Sequence, residues 1–441
     1  MEPRRRTGVA ILVAVLLVVA GTTAGILAAT SSSRPATATT TTKPTPPPDT
    51  DPYAAAAAAA VAVAESDVNL SLPATEGAPA PALPAQAFTA GLGSKDVVGF
   101  VPYYELADLE GESLSGFTYL VYSSVEVSAD ATLVEKDSAN GWGDLVNGGA
   151  SALVSAGHQA GDRVLLSIFA EAESVIGPLC GNGLRNGTKL AGEVAPLLSQ
   201  YGFDGVDLDI EGSDASDRAG YVRFVEGFSG EMKKLDSDWS LMVNTYPTSA
   251  YDPTGFFDVK AIAPYVGDLF VMGYDMNDTS VADAGAPLTG TDPDDAVSIA
   301  SYVAAGLGAK TVLGVPFYGY DFPVAGPQLG AMATGTAYAV TYTAVVTSIT
   351  VNKHKAEWDP TTETPYTVFK RSGQWHQTWY ENPTSIALKV SLAAAFGIAG
   401  VGAWELGMVE GHDEMLSVLD GGSPAKKLPL AAQPSTKSAR S

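Results

Sequence analysis

Between residues 94 and 422, short runs rich in β-branched and aromatic residues alternate with stretches whose apolar positions recur at helical spacing. The runs are Val97–Tyr103, Tyr119–Val125, Arg163–Phe169, Gly205–Ile210, Leu241–Tyr246, Leu269–Tyr274, Thr311–Phe317 and Gly400–Trp404. Helices are predicted over Trp142–Gly157, Thr188–Tyr201, Asp217–Lys234, Pro293–Gly308 and Thr384–Gly397. Such alternation implies an α/β fold with a parallel sheet and crossover helices. Eight repeats in this length predict a closed (β/α)8 TIM barrel. An open doubly wound sheet is the alternative, but no glycine-rich phosphate turn follows the first run.

The seventh and eighth runs are separated by about 80 residues, far more than one helix requires. Within that interval Tyr338–Val351 and Pro365–Tyr380 read as strands rich in Thr, Val and Tyr, with Trp358, Trp375 and Trp379 among or near them. Residues 320–382 are therefore predicted to form a small α+β insertion beside the top of the barrel. Trp375 and Trp379 are expected in its core.

The hydrophobic pattern differs at the amino terminus. Arg4, Arg5 and Arg6 precede an uncharged run from Gly8 to Ala29. As a helix that run would extend about 33 Å, close to the thickness of a bilayer core. Residues 1–29 are expected to be a cytoplasmic tip with a membrane anchor, or a signal peptide cut after Val18-Val19-Ala20. Either device places the remainder outside the cytoplasm, anchored or secreted. Residues 30–93 are rich in Thr, Pro and Ala and read as an extended linker. Within it Ala54–Ala64 is expected as one short helix without a tertiary role. Residues 423–441 read as a flexible tail.

Composition narrows the chemistry. Apolar residues make up 46% of the 441 residues and charged ones 17%, so a large core can form. Lys and Arg number 25 against 49 Asp and Glu, a formal net charge of −24. That balance argues against nucleic acid as a partner. The single cysteine, Cys180, excludes an intramolecular disulfide and a multi-cysteine zinc site, and is expected to be a structural thiol. The histidines (His158, His354, His376, His412) lack metal-ligand spacing, so a histidine-built metal centre is not expected, carboxylate metal sites stay open, and each histidine reads as a surface or capping residue.

The fourth run carries the sharpest chemical signal: Phe203-Asp204-Gly205-Val206-Asp207-Leu208-Asp209-Ile210-Glu211. Side chains alternate along a strand, so Asp207, Asp209 and Glu211 share one face and Val206, Leu208 and Ile210 the other. In a barrel the apolar set packs on helices while the acids face inward, with Glu211 at the carboxyl end where such barrels place their chemistry. Three neighbouring carboxylates cannot all ionise cheaply, and a raised pKa on one of them is what a general acid needs near neutral pH. A calcium loop, the alternative, puts its carboxylates on a flexible glycine-bearing turn rather than on alternate positions of an apolar strand.

Asp204-Gly-Val-Asp207-Leu-Asp209-Ile-Glu211 resembles the DxxDxDxE signature of glycoside hydrolase family 18, the chitinases and their relatives. The likeness runs from Val98-Gly99-Phe100 to Trp404-Glu405-Leu406-Gly407. Met272-Gly273-Tyr274-Asp275 resembles the family's MxYD segment, Val315-Pro316-Phe317-Tyr318-Gly319 its seventh-strand segment, and Trp404 its eighth-strand tryptophan. The wording of the insertion is similar to bacterial cell-wall and spore-associated branches. The resemblance implies substrate-assisted retaining hydrolysis, with Glu211 as general acid and base, Asp209 holding the acetamido N–H, Asp207 sharing a proton with Asp209, and Tyr274 donating to the acetamido oxygen. It further implies Asp275, Met272, Trp404, Tyr318 and Phe100 as sugar-binding residues, Asp204 and Ser167 as structural supports, and no cofactor.

Two departures bear on substrate choice. The third strand reads Ser167-Ile168-Phe169-Ala170 where the family has SxGG, and Glu211 is followed by Gly212-Ser213 rather than an aromatic-proline pair. The expected partner is a polysaccharide or oligosaccharide containing N-acetylglucosamine, chitin-type or peptidoglycan-type, and the chain is expected to act as a monomer. A silent, lectin-like sugar binder on the same barrel and a structural surface protein are the other classes. Retention of the whole acid ladder favours the enzyme.

Overall fold

The computed structural model describes residues 54–68, 96–106, 114, 116–136 and 141–419. All of these belong to the compact unit that begins at Pro52. The anchor or signal run, most of the linker and the tail lie outside the described residues. No described helix is long and apolar enough to cross a membrane.

The strands in chain order are β1 (Asp96–Pro102), β2 (Tyr119–Glu126), β3 (Arg163–Ala170), β4 (Gly205–Ile210), β5 (Ser240–Thr245), β6 (Asp268–Met272), β7 (Thr311–Pro316), β8 (Tyr318–Val324), β9 (Tyr338–Thr341), β10 (Ala356–Asp359), β11 (Thr364–Arg371), β12 (Gln374–Trp379) and β13 (Gly400–Trp404). Strands β1 to β7 and β13 close into a parallel barrel, β13 completing it between β7 and β1. All eight predicted runs are barrel strands. Their near-continuous burial follows from helices covering the outer face of a parallel sheet.

The barrel has two apolar layers. One lies between strands and helices; the other fills the barrel interior with Phe100, Leu165, Met242, Phe270, Met272 and Val312 among its members. Gly314 leaves room for the Phe270 ring, which would lie 2.5 Å from a Cβ at that position.

The predicted helices are present, with one break. Trp142–Asn147 and Gly149–Ala160 replace the single helix expected there, because Gly148 adopts a left-handed φ of 104°.

The insertion is a five-stranded sheet in the order β10-β11-β12-β8-β9, antiparallel throughout. Its strand β8 continues directly from β7, which couples the sheet to the barrel mouth. Tyr338–Val351, expected as one strand, is instead β9 followed by the Tyr342–Asn352 helix. The Thr341 side chain accepts from Ala344 N–H at 3.2 Å and starts the helix; this cap and the surrounding packing outweigh the β-branched composition. Trp379 is buried against Tyr366, as expected, whereas Trp375 is half-buried beneath Lys370.

Two further expectations are corrected. The Ala54–Val68 helix has a tertiary role: Ala57, Ala60, Val61 and Ala64 form a buried stripe at i, i+3, i+4, i+7 spacing, and the helix packs on the Asp295–Ala304 and Pro383–Phe396 helices. His376 is not a surface residue, since it is buried in the insertion with Nδ1 2.6 Å from Asp321.

Candidate active site

Strand register builds the site. On β3, Ser167 lies beside Asp207 and Phe169 beside Asp209; on β5, Met242 lies beside Asp207. Asp207 and Asp209 are buried, while Glu211, just past β4, keeps partial exposure at the barrel mouth. The Glu211 N–H donates to the Ala170 carbonyl at 2.8 Å and extends the pairing to the end of the ladder.

The deep end of the ladder has polar support. Ser167 Oγ donates to Asp207 Oδ2 at 2.8 Å, and Asn244 Nδ2 reaches the same oxygen at 3.4 Å. Asp207 Oδ1 and Asp209 Oδ1 have no hydrogen-bond partner among the described residues. Burial, and then the neighbouring Asp209, hold the Asp207 carboxyl well above its ordinary range against the pull of Ser167 and Asn244. Burial pushes Asp209 up to about 6. Burial, followed by the charges of Asp209, Glu171 and Asp275, raises Glu211 well above 4.5. The geometry therefore favours protons on the ladder near neutral pH, with the acid at its solvent-facing end.

Asp204 sits at the opposite end of β4. Its Oδ2 accepts from Val164 N–H at 2.7 Å and lies 2.8 Å from His158 Nε2. It fastens the start of β4 to β3 and is separated from Glu211 by the length of the strand.

The loop after β6 brings a second group. Asp275 has a left-handed φ of 57°. Its Oδ1 accepts from Tyr318 Oη at 2.6 Å and Tyr320 Oη at 2.5 Å. Tyr318 and Tyr320 alternate on β8, so the insertion's first strand supplies both donors. Tyr274 packs edge-on to Tyr318, with ring centroids 6.1 Å apart. The far leg of the loop is gripped from behind, and the near leg passes close to the same ion pair. Lys389 Nζ donates to the Ala286 carbonyl at 2.5 Å and pairs with Asp295, whose Oδ1 would lie 2.5 Å from a Cβ on Gly273. Glycine in the Met272-Gly273-Tyr274-Asp275 segment thus admits the buried carboxylate.

Trp404 ends β13, half-exposed, with its ring centroid 5.4 Å from that of Phe100. Phe100 is fully buried, so it supports the tryptophan from below rather than facing the cleft. Met272 lies in the same inner cluster with Tyr246, Tyr274 and Trp404 around it. Gly212, directly after Glu211, rests on Phe256, whose ring would lie 2.4 Å from an added Cβ; an aromatic residue has no room there.

The structure thus gathers Ser167, Asp207, Asp209, Glu211, Met272, Tyr274, Asp275, Tyr318 and Trp404 at the carboxyl end and upper interior of one barrel. Sequence reasoning missed Asn244 and Glu171. Asn244 had a signal, as a polar residue inside the apolar Leu241–Tyr246 run; Glu171 had none, since it reads as an ordinary acid in a loop.

A closed parallel barrel with an acid ladder on its fourth strand defines the class of protein, and comparison with known proteins identifies the family. Residues 96–408 match the model for glycosyl hydrolases family 18. The chain belongs to that family and is a glycoside hydrolase. It is 26% identical over 297 residues to di-N-acetylchitobiase from Rattus norvegicus, covering 60% of this chain and 76% of that protein. It is 24% identical over 302 residues to the cortical fragment-lytic enzyme of Bacillus anthracis, covering 66% and 65%. The solved family 18 chitinase from Cycas revoluta in complex with (GlcNAc)3 superposes with a TM-score of 0.65 at 21% identity, over 74% of this chain and 99% of that one.

Proposed function

We propose that the protein hydrolyses β-1,4-linked glycans containing N-acetylglucosamine, with retention of configuration and assistance from the substrate's own acetamido group. The observation that carries this reading is the in-register ladder of Asp207, Asp209 and Glu211, graded from buried to solvent-facing and biased toward protonation. Glu211 gives its proton to the glycosidic oxygen as the bond to C1 breaks. The acetamido oxygen attacks C1 from the other face and closes an oxazolinium ring. Asp209 accepts the acetamido N–H and stabilises the positive charge, while Asp207 holds the proton that Asp209 gives up or takes back. Tyr274 donates its hydroxyl to the acetamido oxygen, Asp275 holds a sugar hydroxyl, and Trp404 floors the ring. Glu211 then takes a proton from water as the water attacks C1 and the bond from C1 to the acetamido oxygen breaks, which reopens the ring and restores the acid, the acetamido group and the original anomer.

The two glycan branches left open by the sequence are chitin-type and peptidoglycan-type, and relatives named as a di-N-acetylchitobiase and a cortical fragment-lytic enzyme are compatible with both. Both contain the N-acetyl group that the mechanism needs. The amino-terminal arginines and apolar run in the sequence support work outside the cytoplasm, anchored or secreted. Incubation with N-acetylglucosamine oligomers and with purified peptidoglycan, beside Glu211→Gln, tests the reading. Product release by the parent alone supports it, and the substrate that reacts chooses the branch. Saturable binding by both forms without release would make the protein a lectin.

A further inference from the structure

The ladder on β4 has a matching row on β3. Ser167 stands beside Asp207 and Phe169 beside Asp209. Residues in register on parallel strands point the same way, and alternate positions share a face. The Glu211 N–H still pairs with Ala170 O, so the next residue on the β3 side, Glu171, falls beside Glu211 on the ladder's face. Glu171 is exposed at the mouth.

An exposed glutamate at a strand end is ordinarily a solvated surface group. Its neighbours set Glu171 apart. Among the described residues, the charged groups acting on Glu211 are Asp209 along β4, Glu171 from the β3 side and Asp275 from the β6 loop, all of them acids. Tyr246, just past β5, and Tyr274, past β6, complete the ring of titratable groups around it. The field of Glu171 also reaches Asp209, and Glu126 at the end of β2. Asp209 and Asp275 are committed to the acetamido group and the sugar. Glu171 is the exposed member of the set.

Taking Glu211 as the acid, we propose that Glu171 is a positioning residue for the proton: its negative charge keeps Glu211 protonated at the pH where the glycosidic oxygen needs that proton. Glu171 acts through Glu211 and need not touch the sugar. A like charge beside an acid disfavours loss of its proton, and solvent at the mouth limits the size of the effect.

Glu171→Gln removes the charge at constant size on an exposed position, and Glu171→Asp keeps it. The pH profile of kcat/KM at low ionic strength is the readout. Glu171→Gln is expected to move the alkaline limb to lower pH, so that activity on that limb falls about threefold or more while the plateau changes less than about twofold. Glu171→Asp should restore much of the limb, and added salt should shrink the gap between parent and variant. Superimposed limbs, or an equal loss at every pH, would overturn the proposal. The carboxyl C=O stretch of Glu211 in the free enzyme, assigned by its absence in Glu211→Gln, reads the same proton without turnover. It should vanish at lower pH in Glu171→Gln than in the parent, and identical titrations would overturn the proposal even if no glycan is cleaved. A parent without activity toward N-acetylglucosamine glycans would instead contradict the functional reading.

Discussion

Ser167 Oγ donates a hydrogen bond to Asp207 Oδ2 at 2.8 Å in the closed interior of the barrel. This contact joins β3 to the deepest carboxyl of the ladder and favours its charged form against the bias of burial. Ser167→Ala should raise the proton affinity of Asp207 further and slow its exchange with Asp209. The expected loss in kcat is about tenfold, about 1.4 kcal/mol, equivalent to one ordinary hydrogen bond. Stability should change by less than about 1 kcal/mol, because a protonated Asp207 tolerates the missing donor. Steady-state kinetics beside thermal unfolding separate the two effects.

Lys389 and Asp295 form an ion pair in which both side chains are essentially inaccessible to solvent. Removing one partner leaves a buried charge, so Lys389→Met should cost about 3–5 kcal/mol in stability. Burial already raises the Asp295 carboxyl against the pull of Lys389, and loss of the lysine would raise it further. Lys389→Met with Asp295→Asn should recover part of the loss. Denaturant unfolding of the single and double variants tests this. A single variant as stable as the parent would contradict the cost assigned to the unpaired buried charge.

The ladder also makes stability depend on pH in a definite direction. Asp209 has a folded value of about 6 against 3.8 for an ordinary aspartate, so the folded chain keeps a proton that the unfolded chain releases. Its contribution is full below about pH 4 and is lost as pH rises through 6. Asp209→Asn should therefore remove about 2–3 kcal/mol of the parent's loss in stability across that window. Parallel stability curves for parent and variant between pH 4 and 8 would exclude the proton from Asp209.

The Ala54–Val68 helix is a stabilising strap on the barrel's outer helices. Ala64 is fully buried at its contact face. Ala64→Glu should detach the helix and lower stability by about 1–3 kcal/mol. kcat should stay within about twofold, since the helix packs on the outside of the barrel. Limited proteolysis should cut the variant's linker side sooner than the parent's.

Much of the fold was legible because parallel strands buried on both faces read as continuous β-branched runs, and β4 stood out because acids interrupt its run at every second position. What remained hidden depended on partners remote in sequence. Lys389 and Asp295 lie on different helices, and nothing local pairs them. The buried stripe of Ala54–Val68 was invisible because alanine occupies both faces. The Tyr342–Asn352 helix misled because Thr, Val and Ile favour strands, while the Thr341 cap and a left-handed Lys353 at its end set the helix. Phe100 matched a family position, yet whether a ring faces the cleft or supports the ring above it is decided by Trp404, which packs over it.

The central claim is that Glu211 protonates the glycosidic bond while the substrate's acetamido group displaces it. Proton NMR of the newly formed reducing end, recorded in the first minutes of N-acetylglucosamine oligomer hydrolysis by parent and Glu211→Gln, tests it most directly. The account predicts that the parent releases the β-anomer before mutarotation and that Glu211→Gln loses nearly all turnover while keeping its fold. Initial release of the α-anomer, or parent-like turnover by Glu211→Gln, would contradict it.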